Sequence, residues 1–428
     1  MITFDQITET LRAIFAQHSS LLAELGDLLV NRDLNGRVRL ILAESIEENP
    51  ELLERLQPLL ADISEQLSPH AWPADRLVLF EEDLEAVKEG APSYPLPDFE
   101  QVTVVDRLAA EANWQSIESE AHGKRIVFFS IKGGVGRSSA LAATAWSLAQ
   151  AGKRVMVLDL DLESPGLSTA ILPDEKQPKY GITDWLVEDL VDNGDEVLQH
   201  MVASSDLSHD GEILVVPAHG ADPGEYISKL GRVWMPRVQA DGSRERWSQR
   251  LQRMVTQLED KHQPDVVLID SRAGIDEVAS SCITDLGAQL ILLFAIDGSQ
   301  TWNGYRILFE HWQRSHSIQA IRERLKIVSG LTPDTDTKSY LGRLRENACD
   351  LFTDTQYDEI GAGEVIGDQW NFEESDDTAP HSPWAVHWHR SFTGLQTLHG
   401  RLAEIDANQV TMIFGPLISG IHDVLEND

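Results

Sequence analysis

Apolar positions along the chain follow two regimes. In the first, TFDQITETLRAIFAQHSSLLAELGDLL, residues Ile7, Leu11, Ile14 and Phe15 recur at helical spacing, and Leu21, Leu22, Leu25, Leu28 and Leu29 resume it after a break near Ser19. Further helices are expected at 35–48 and 51–66. Pro69, Pro73, Pro92, Pro95 and Pro97 then punctuate a stretch that reads as a linker around one helix near 81–88. In the second regime, from Lys124 on, short solid apolar runs alternate with helical segments: RIVFFSI, KRVMVLDLD, and the runs at 212–218, 265–271, 288–296 and 325–331. Such runs predict a parallel sheet covered by helices on both faces. The expected fold class is α/β, a mostly parallel doubly wound sheet over 124–428 with a C-terminal elaboration. A small helical domain at 1–67 and a linker with short helices at 68–123 are expected to precede it.

Charge narrows the partners. Against 35 Lys and Arg stand 70 Asp and Glu, a formal net charge of −35. That field repels polyphosphate backbones, so nucleic-acid binding by the bulk surface is not expected. Cys282 and Cys349 have no metal-ligand spacing, which argues for a reduced protein without a disulfide framework. The start MITFDQITETLRAIF lacks the basic and apolar regions of a signal peptide, and no apolar run approaches the roughly 18–20 residues of a membrane span. A cytoplasmic protein is the expectation.

The chemistry concentrates in FSIKGGVGRSSALAATAWSLAQAGKRVMVLDLDLES. Between a strand and a helix lies a glycine-rich loop, and Gly133, Gly134 and Gly136 allow the backbone to turn tightly and aim N–H groups inward. The helix from Arg137 adds its positive end, and Ser138 offers a hydroxyl where Mg²⁺ on a β/γ-phosphate needs one. Val135, Arg137 and Ser139 complete a nucleotide-binding segment at 133–139. Two strands bring carboxylates to the same edge: Asp159 and Asp161 in VMVLDLDLES, and Asp270 in PDVVLIDSRAG, with Gly274 four residues on. Carboxylates at the C-terminal ends of parallel strands converge on the crevice where such loops lie, and can hold Mg²⁺ through its waters. Against the ordinary pattern G-x-x-x-x-G-K-[ST], the loop departs twice: Ile131 replaces the first Gly, and Arg137 replaces the Lys.

Over about residues 124–331 these ordered segments resemble the deviant Walker-A P-loop ATPases, the MinD/ParA-like group of the SIMIBI class. Their loop reads K-G-G-x-G-K-[ST], with an opening Lys and no Gly where Ile131 stands. The resemblance implies ATP and Mg²⁺ as ligands and a homodimer formed on ATP binding. Lys132 matches the lysine that reaches the other protomer's phosphates, Ser138 the Mg²⁺ ligand, and Asp159 the Asp beside the metal. Asp161 matches the switch I Asp that orients the hydrolytic water, Asp270 the Walker B Asp, and Gly274 the switch II glycine whose N–H senses the γ-phosphate. KGGVGRS with DLDLESPGL and DSRAG further resembles a subgroup in larger bacterial proteins, some in signalling or defence.

Arg137 departs from the family's Lys, since a planar bidentate guanidinium replaces a compact point charge. Binding is expected to survive and hydrolysis to be slow. Arg272 replaces the Pro of D-x-P-A-G, and either lends a second charge near the γ-phosphate or pairs with carboxylates.

The expected function is an ATP-dependent dimerising switch acting on a protein partner through the helical or C-terminal region. The alternatives are a non-hydrolysing pseudo-ATPase scaffold, a ParA-like DNA-partitioning ATPase that the charge opposes, an iron-protein reductase that lacks clustered Cys, and a tyrosine kinase that lacks a Tyr-rich tail. The locally basic 228–253 stretch, with Trp234 and Trp247, reads first as cations balancing nearby acids. PHSPWAVHWHRS reads as an aromatic-rich packing or interaction loop, with His387 and His389 on one face of a strand. The tail has an apolar side but no cation after Arg401, so no membrane anchor is expected.

Overall fold

The computed structural model describes residues 2–88, 91–108, 114, 117–118, 123–239, 242–358, 369–390 and 407–426. The chain divides into two compact units, Met1–Gln115 and Ser116–Asp428.

The first unit corrects the expectation of a helical domain followed by a linker. Its helices Ile7–Gln17, Ser19–Leu25 and Pro50–Gln66 lie where the periodicity places them. Between and after them run β1 (Leu28–Arg32), β2 (Val38–Ala43), β3 (Val78–Glu81), β4 (Ser93–Leu96) and β5 (Phe99–Asp106). These form one mixed sheet in the order β3-β2-β1-β5-β4. The reason is local. Val38, Leu40 and Leu42 alternate along β2 and are fully buried, a period of two that the neighbouring leucines disguise as helical. The turn between β1 and β2 is set by Asp33, whose Oδ1 accepts from the N–H groups of Asn35 and Arg37, both at 2.9 Å, while Gly36 takes φ +74°. Pro95 sits in β4, an edge strand, where a missing N–H is tolerated. Within the supposed linker, 109–113, 115–116 and 119–122 lie outside the described residues.

The second unit is the expected α/β fold. Its sheet comprises β6 (Arg125–Ser130), β7 (Arg154–Asp159), β8 (Ala203–Ser204), β9 (Glu212–Val216), β12 (Val266–Asp270), β13 (Leu290–Ala295), β14 (Leu325–Thr332) and β15 (Trp384–His387), with β10 (Arg237–Val238) and β11 (Arg244–Glu245) forming a separate small pair. The order is β15-β14-β13-β6-β12-β7-β9-β8. Every neighbour pair is parallel except β8 with β9. β6, β12 and β13 are buried along their whole length, the signature of strands covered on both faces. From β6 the chain passes through the helix Arg137–Gln150 to β7, leaving room for β12 between them. At that reversal the C-terminal strand ends flank a crevice. The helix Ala407–Glu426 packs Val410, Ile413, Phe414, Leu417 and Ile421 into the same core cluster as β6 and the helix Arg137–Gln150. These side chains are thus covered by the core of the second unit. No helix among the described residues is long and apolar enough to cross a membrane.

Candidate functional site

The loop leaves β6 after Ser130 and enters the helix Arg137–Gln150. Gly134 and Gly136 adopt φ +74° and +84°, the left-handed region that only glycine enters freely. The departure at Ile131 has a packing explanation. A Cβ on Gly304, in the helix Ser299–Arg314, would fall 2.3 Å from Ile131 Cγ2, so Ile131 seats its side chain in the notch left by that glycine. From the other side β14 presses on the loop, since a Cβ on Gly330 would meet the Val135 carbonyl oxygen at 2.4 Å. The loop is therefore wedged between two elements. The first-turn N–H groups of the following helix have no intrahelical acceptors and give the crevice its positive end.

Three carboxylates face this loop. Asp159 ends β7 and Asp270 ends β12, directly opposite each other in the parallel register. Asp159 is fully buried; its Oδ2 accepts from Ser168 N and Oγ, both at 3.1 Å, while its Oδ1 is buried without a partner. Burial, and then the neighbouring Asp270 charge, push its carboxyl up to about 7. Asp161 is also raised, by burial first, with Arg137 opposing and Asp270 reinforcing. Ser164 N donates to Asp161 Oδ1 at 3.2 Å.

Arg137 lies among these acids. Its Nε donates to Asp270 Oδ1 at 2.6 Å and its Nη1 to Ser130 Oγ at 3.3 Å, while Nη2 stands 3.7 Å from Asp161 Oδ2. Arg272 takes the second of its two expected roles, pairing with Glu163 at 2.7 Å and Asp276 at 3.1 Å.

The crevice encloses about 380 Å³ and is lined by residues 133–139 together with Asp159, Asp161 and Asp270. Lys132 and Gly274 stand outside that lining. Lys132 is exposed on the loop, and the Gly274 N–H donates to the Ser130 carbonyl at 2.9 Å rather than pointing at the cavity. Ser138 and the orphaned Asp159 oxygen fit a divalent cation that keeps most of its waters. Asp270 fits less well, because one of its oxygens already holds a guanidinium. Among the described residues, no cluster of three His, Cys, Asp or Glu is arranged to hold a metal.

A second group of lining residues was missed as part of a site. Leu331, Val386, His387, Trp388, His389 and Phe414 also line the cavity, with Leu331 against the loop's Gly136. β15 ends at His387, so His389 lies past the strand instead of sharing its face. Trp388 N donates to the Thr332 carbonyl at 2.8 Å, which pins the segment to the end of β14, and its side chain remains 44% exposed. The available signal was the aromatic and imidazole density of WAVHWH directly after an apolar pair, without any indication of what it would face.

Four cations of the basic stretch, Lys229, Arg237, Arg250 and Arg253, are paired with acids, in line with its first reading. Arg250 and Arg253 bond Asp189, Arg253 also bonds Glu245, and Lys229 reaches Asp184 at 2.5 Å. Residues 240 and 241 lie outside the described residues.

Comparison with known proteins follows the geometry. Residues 122–188 match the ParA family model, described as a NUBPL iron-transfer P-loop NTPase. Among solved structures the chain is similar to pNOB8 ParA bound to nonspecific DNA, at 14% identity over 72% of this chain and 100% of that one, with a TM-score of 0.47. It is also similar to a ParA family ATPase from Chlorobium tepidum TLS, at 13% identity over 70% and 99% with a TM-score of 0.45. The MinD cell division protein of Aquifex aeolicus matches at 13% identity over 70% and 98%, with a TM-score of 0.41. No curated protein matches the chain. The second unit has a doubly wound α/β fold, and the segment of it that matches the ParA P-loop NTPase model contains the glycine-rich loop.

Proposed function

We propose that this MinD/ParA-like P-loop unit binds ATP at residues 133–139, hydrolyses it slowly, and dimerises in response, acting as a switch on a protein partner. One observation carries the reading. A wedged glycine loop, a helix N-terminus and three acids share one crevice, which His387, Trp388 and His389 also line. Phosphates lie on the loop's N–H groups, and the base lies toward Trp388. Ser138 and Asp159 are the residues that would hold Mg²⁺, which when bound offsets charge on the β- and γ-phosphates. Asp161 accepts a hydrogen bond from the attacking water. The water's oxygen bonds the γ-phosphorus as the bond to the ADP oxygen breaks, and the water's protons leave with the phosphate and the solvent. Lys132, exposed at the rim, is the group free to cross to a second protomer's phosphates.

A non-hydrolysing scaffold is the second reading, favoured by the guanidinium held on Asp270. DNA partitioning draws little support from the 228–253 stretch, where Lys229, Arg237, Arg250 and Arg253 are held by acids. Iron transfer, named in the family model, draws none from the thiols: Cys282 is fully buried, with its thiol pushed up by that burial, and Cys349 lies on the separate helix Thr337–Thr355.

The test is molar mass in solution without nucleotide, with ATP·Mg²⁺ and with a non-hydrolysable analogue, alongside phosphate release. The expected result is analogue-stabilised dimers lost in Lys132→Ala and slow turnover lost in Asp161→Ala. Binding without dimers or turnover would select the scaffold, and no binding at all would end the nucleotide reading.

A further inference from the structure

Cations are the natural partners of a nucleotide's phosphates, yet the two cations of this loop are placed very differently. Lys132 is exposed, whereas the Arg137 side chain is only 8% exposed and lies beneath the loop. Its partner Asp270 is 2% exposed at the side chain, and the bond between them measures 2.6 Å. Ser130 Oγ holds a second nitrogen from the same buried side, and the Asp161 carboxylate stands 3.7 Å from the third. A charge-assisted bond between groups this dry is strong, because little water remains to screen it. The planar fork also fixes direction. With Nε on Asp270, Nη1 on Ser130 and Nη2 facing the Asp161 carboxylate at 3.7 Å, each nitrogen of the fork is turned to a protein group, and a phosphate in the crevice must compete with Asp270 for the one positive charge. A lysine ammonium has no such fork and would not bridge Ser130 and Asp270 in this way.

We infer that Asp270 and the nucleotide's phosphate are rival partners of the one Arg137 guanidinium, so that this ion pair is a brake on nucleotide binding built into the loop. The inference rests on the nucleotide reading above and deepens it. Binding that recruits Arg137 either breaks the Asp270 pair or takes a cation whose charge that acid already offsets. Either way Arg137 contributes little to affinity while Asp270 is charged, and much once Asp270 is neutral.

That coupling is measured by a double-mutant cycle read as ATP affinity. Titration calorimetry in excess chelator keeps any metal contribution of Asp270 out of the comparison. The proteins are the full chain, Arg137→Gln, Asp270→Asn and the double variant. Asp270→Asn is expected to tighten ATP binding about tenfold or more in the parent, and less than about threefold when residue 137 is Gln, each tenfold step being about 1.4 kcal/mol. Simple relief of repulsion between Asp270 and phosphate would tighten both backgrounds equally, and that result overturns the inference. So does a tenfold loss of affinity from Arg137→Gln alone, which would mean the guanidinium already serves the phosphate. If Arg137→Gln fails to fold because Asp270 is left buried and unpaired, Arg137→Lys takes its place with the same expected sign. ATP binding by none of the proteins would refute the nucleotide reading itself, whereas additive binding would refute only the brake.

Discussion

Two buried ion networks in the Ser116–Asp428 unit use the same chemistry and end in opposite states. Around Asp189, Arg250 Nε bonds at 2.8 Å and Arg253 Nη2 at 2.9 Å, while Glu245 takes the Arg253 Nε at 2.8 Å. Burial pushes the Asp189 carboxyl up, but the hydrogen bonds from Arg253 and Arg250 outweigh it and hold the group below its ordinary value. Around the crevice one guanidinium faces Asp161 and Asp270, an Asp159 oxygen has no partner, and the Asp159 carboxyl rises to about 7. In the first network every buried charge is answered. In the second, acid exceeds base and the excess is tolerated. A buried acid left unanswered costs stability, and the raised Asp159 carboxyl beside a glycine loop and a cavity marks the crevice as a candidate ligand site.

The contrast breaks first at Arg250, which is fully buried. Arg250→Ala leaves Asp189 short of a partner in the interior and should destabilise the protein by about 3–5 kcal/mol in denaturant unfolding. ATP affinity of the folded fraction should not change. A loss below about 1 kcal/mol would mean that the network is not the closed structural unit described.

The crevice should respond with the opposite sign. Asp159 keeps its proton in the folded protein up to about pH 7 but loses it near 3.8 when unfolded. Its contribution to stability is therefore complete below about pH 4 and disappears as pH rises through 7. The gap corresponds to roughly 4 kcal/mol at about 1.36 kcal/mol per unit. Asp159→Asn keeps an acceptor for Ser168 and removes the charge, at the cost of a buried amide. It should stabilise the protein by about 2 kcal/mol at pH 8 and destabilise it by about 2 kcal/mol at pH 4, where the amide cost stands alone. Equal effects at both pH values would show that the acid is not perturbed as described.

The two networks also mark what a sequence can display. Glycine spacing and strand-end acids are local patterns, so the loop, Asp159, Asp161 and Asp270 were legible together. The orientation of Arg137 was not, because it depends on Asp270, which is 133 residues away and brought alongside by strand order. The Ile131 substitution matched a family pattern, but its physical basis is Gly304, a helix residue with no motif around it. The sheet of the first unit hid for a different reason. β1 and β2 are five and six residues long, too short for a period of two to stand out among neighbouring leucines. The aromatic wall hid because β15 is four residues long and reaches the crevice only as the outermost strand beside β14.

A third change, Gly304→Ala, sharpens the account of the loop. The added Cβ would fall 2.3 Å from Ile131 Cγ2, a contact that real side chains do not make, so the wedge must shift. Overpacking of this kind should destabilise the protein by about 1–3 kcal/mol and weaken ATP binding in parallel. Restoring room with Ile131→Ala in the same chain should recover both.

The smallest expected effect distinguishes the two ends of the crevice. Trp388 is half-exposed where it lines the cavity, so Trp388→Leu should leave stability within about 0.5 kcal/mol. A base stacked on the indole is worth about 1–3 kcal/mol, so ATP affinity should fall about tenfold. Tripolyphosphate carries the same charged groups without a base and should bind the variant and the parent equally. If both ligands weaken together, Trp388 supports the loop instead of the base, and the aromatic wall becomes a packing element like the Asp189 network. If only ATP weakens, the crevice has a base end set by the last strand of the sheet, and the tolerated excess of acid at its other end belongs to a nucleotide site.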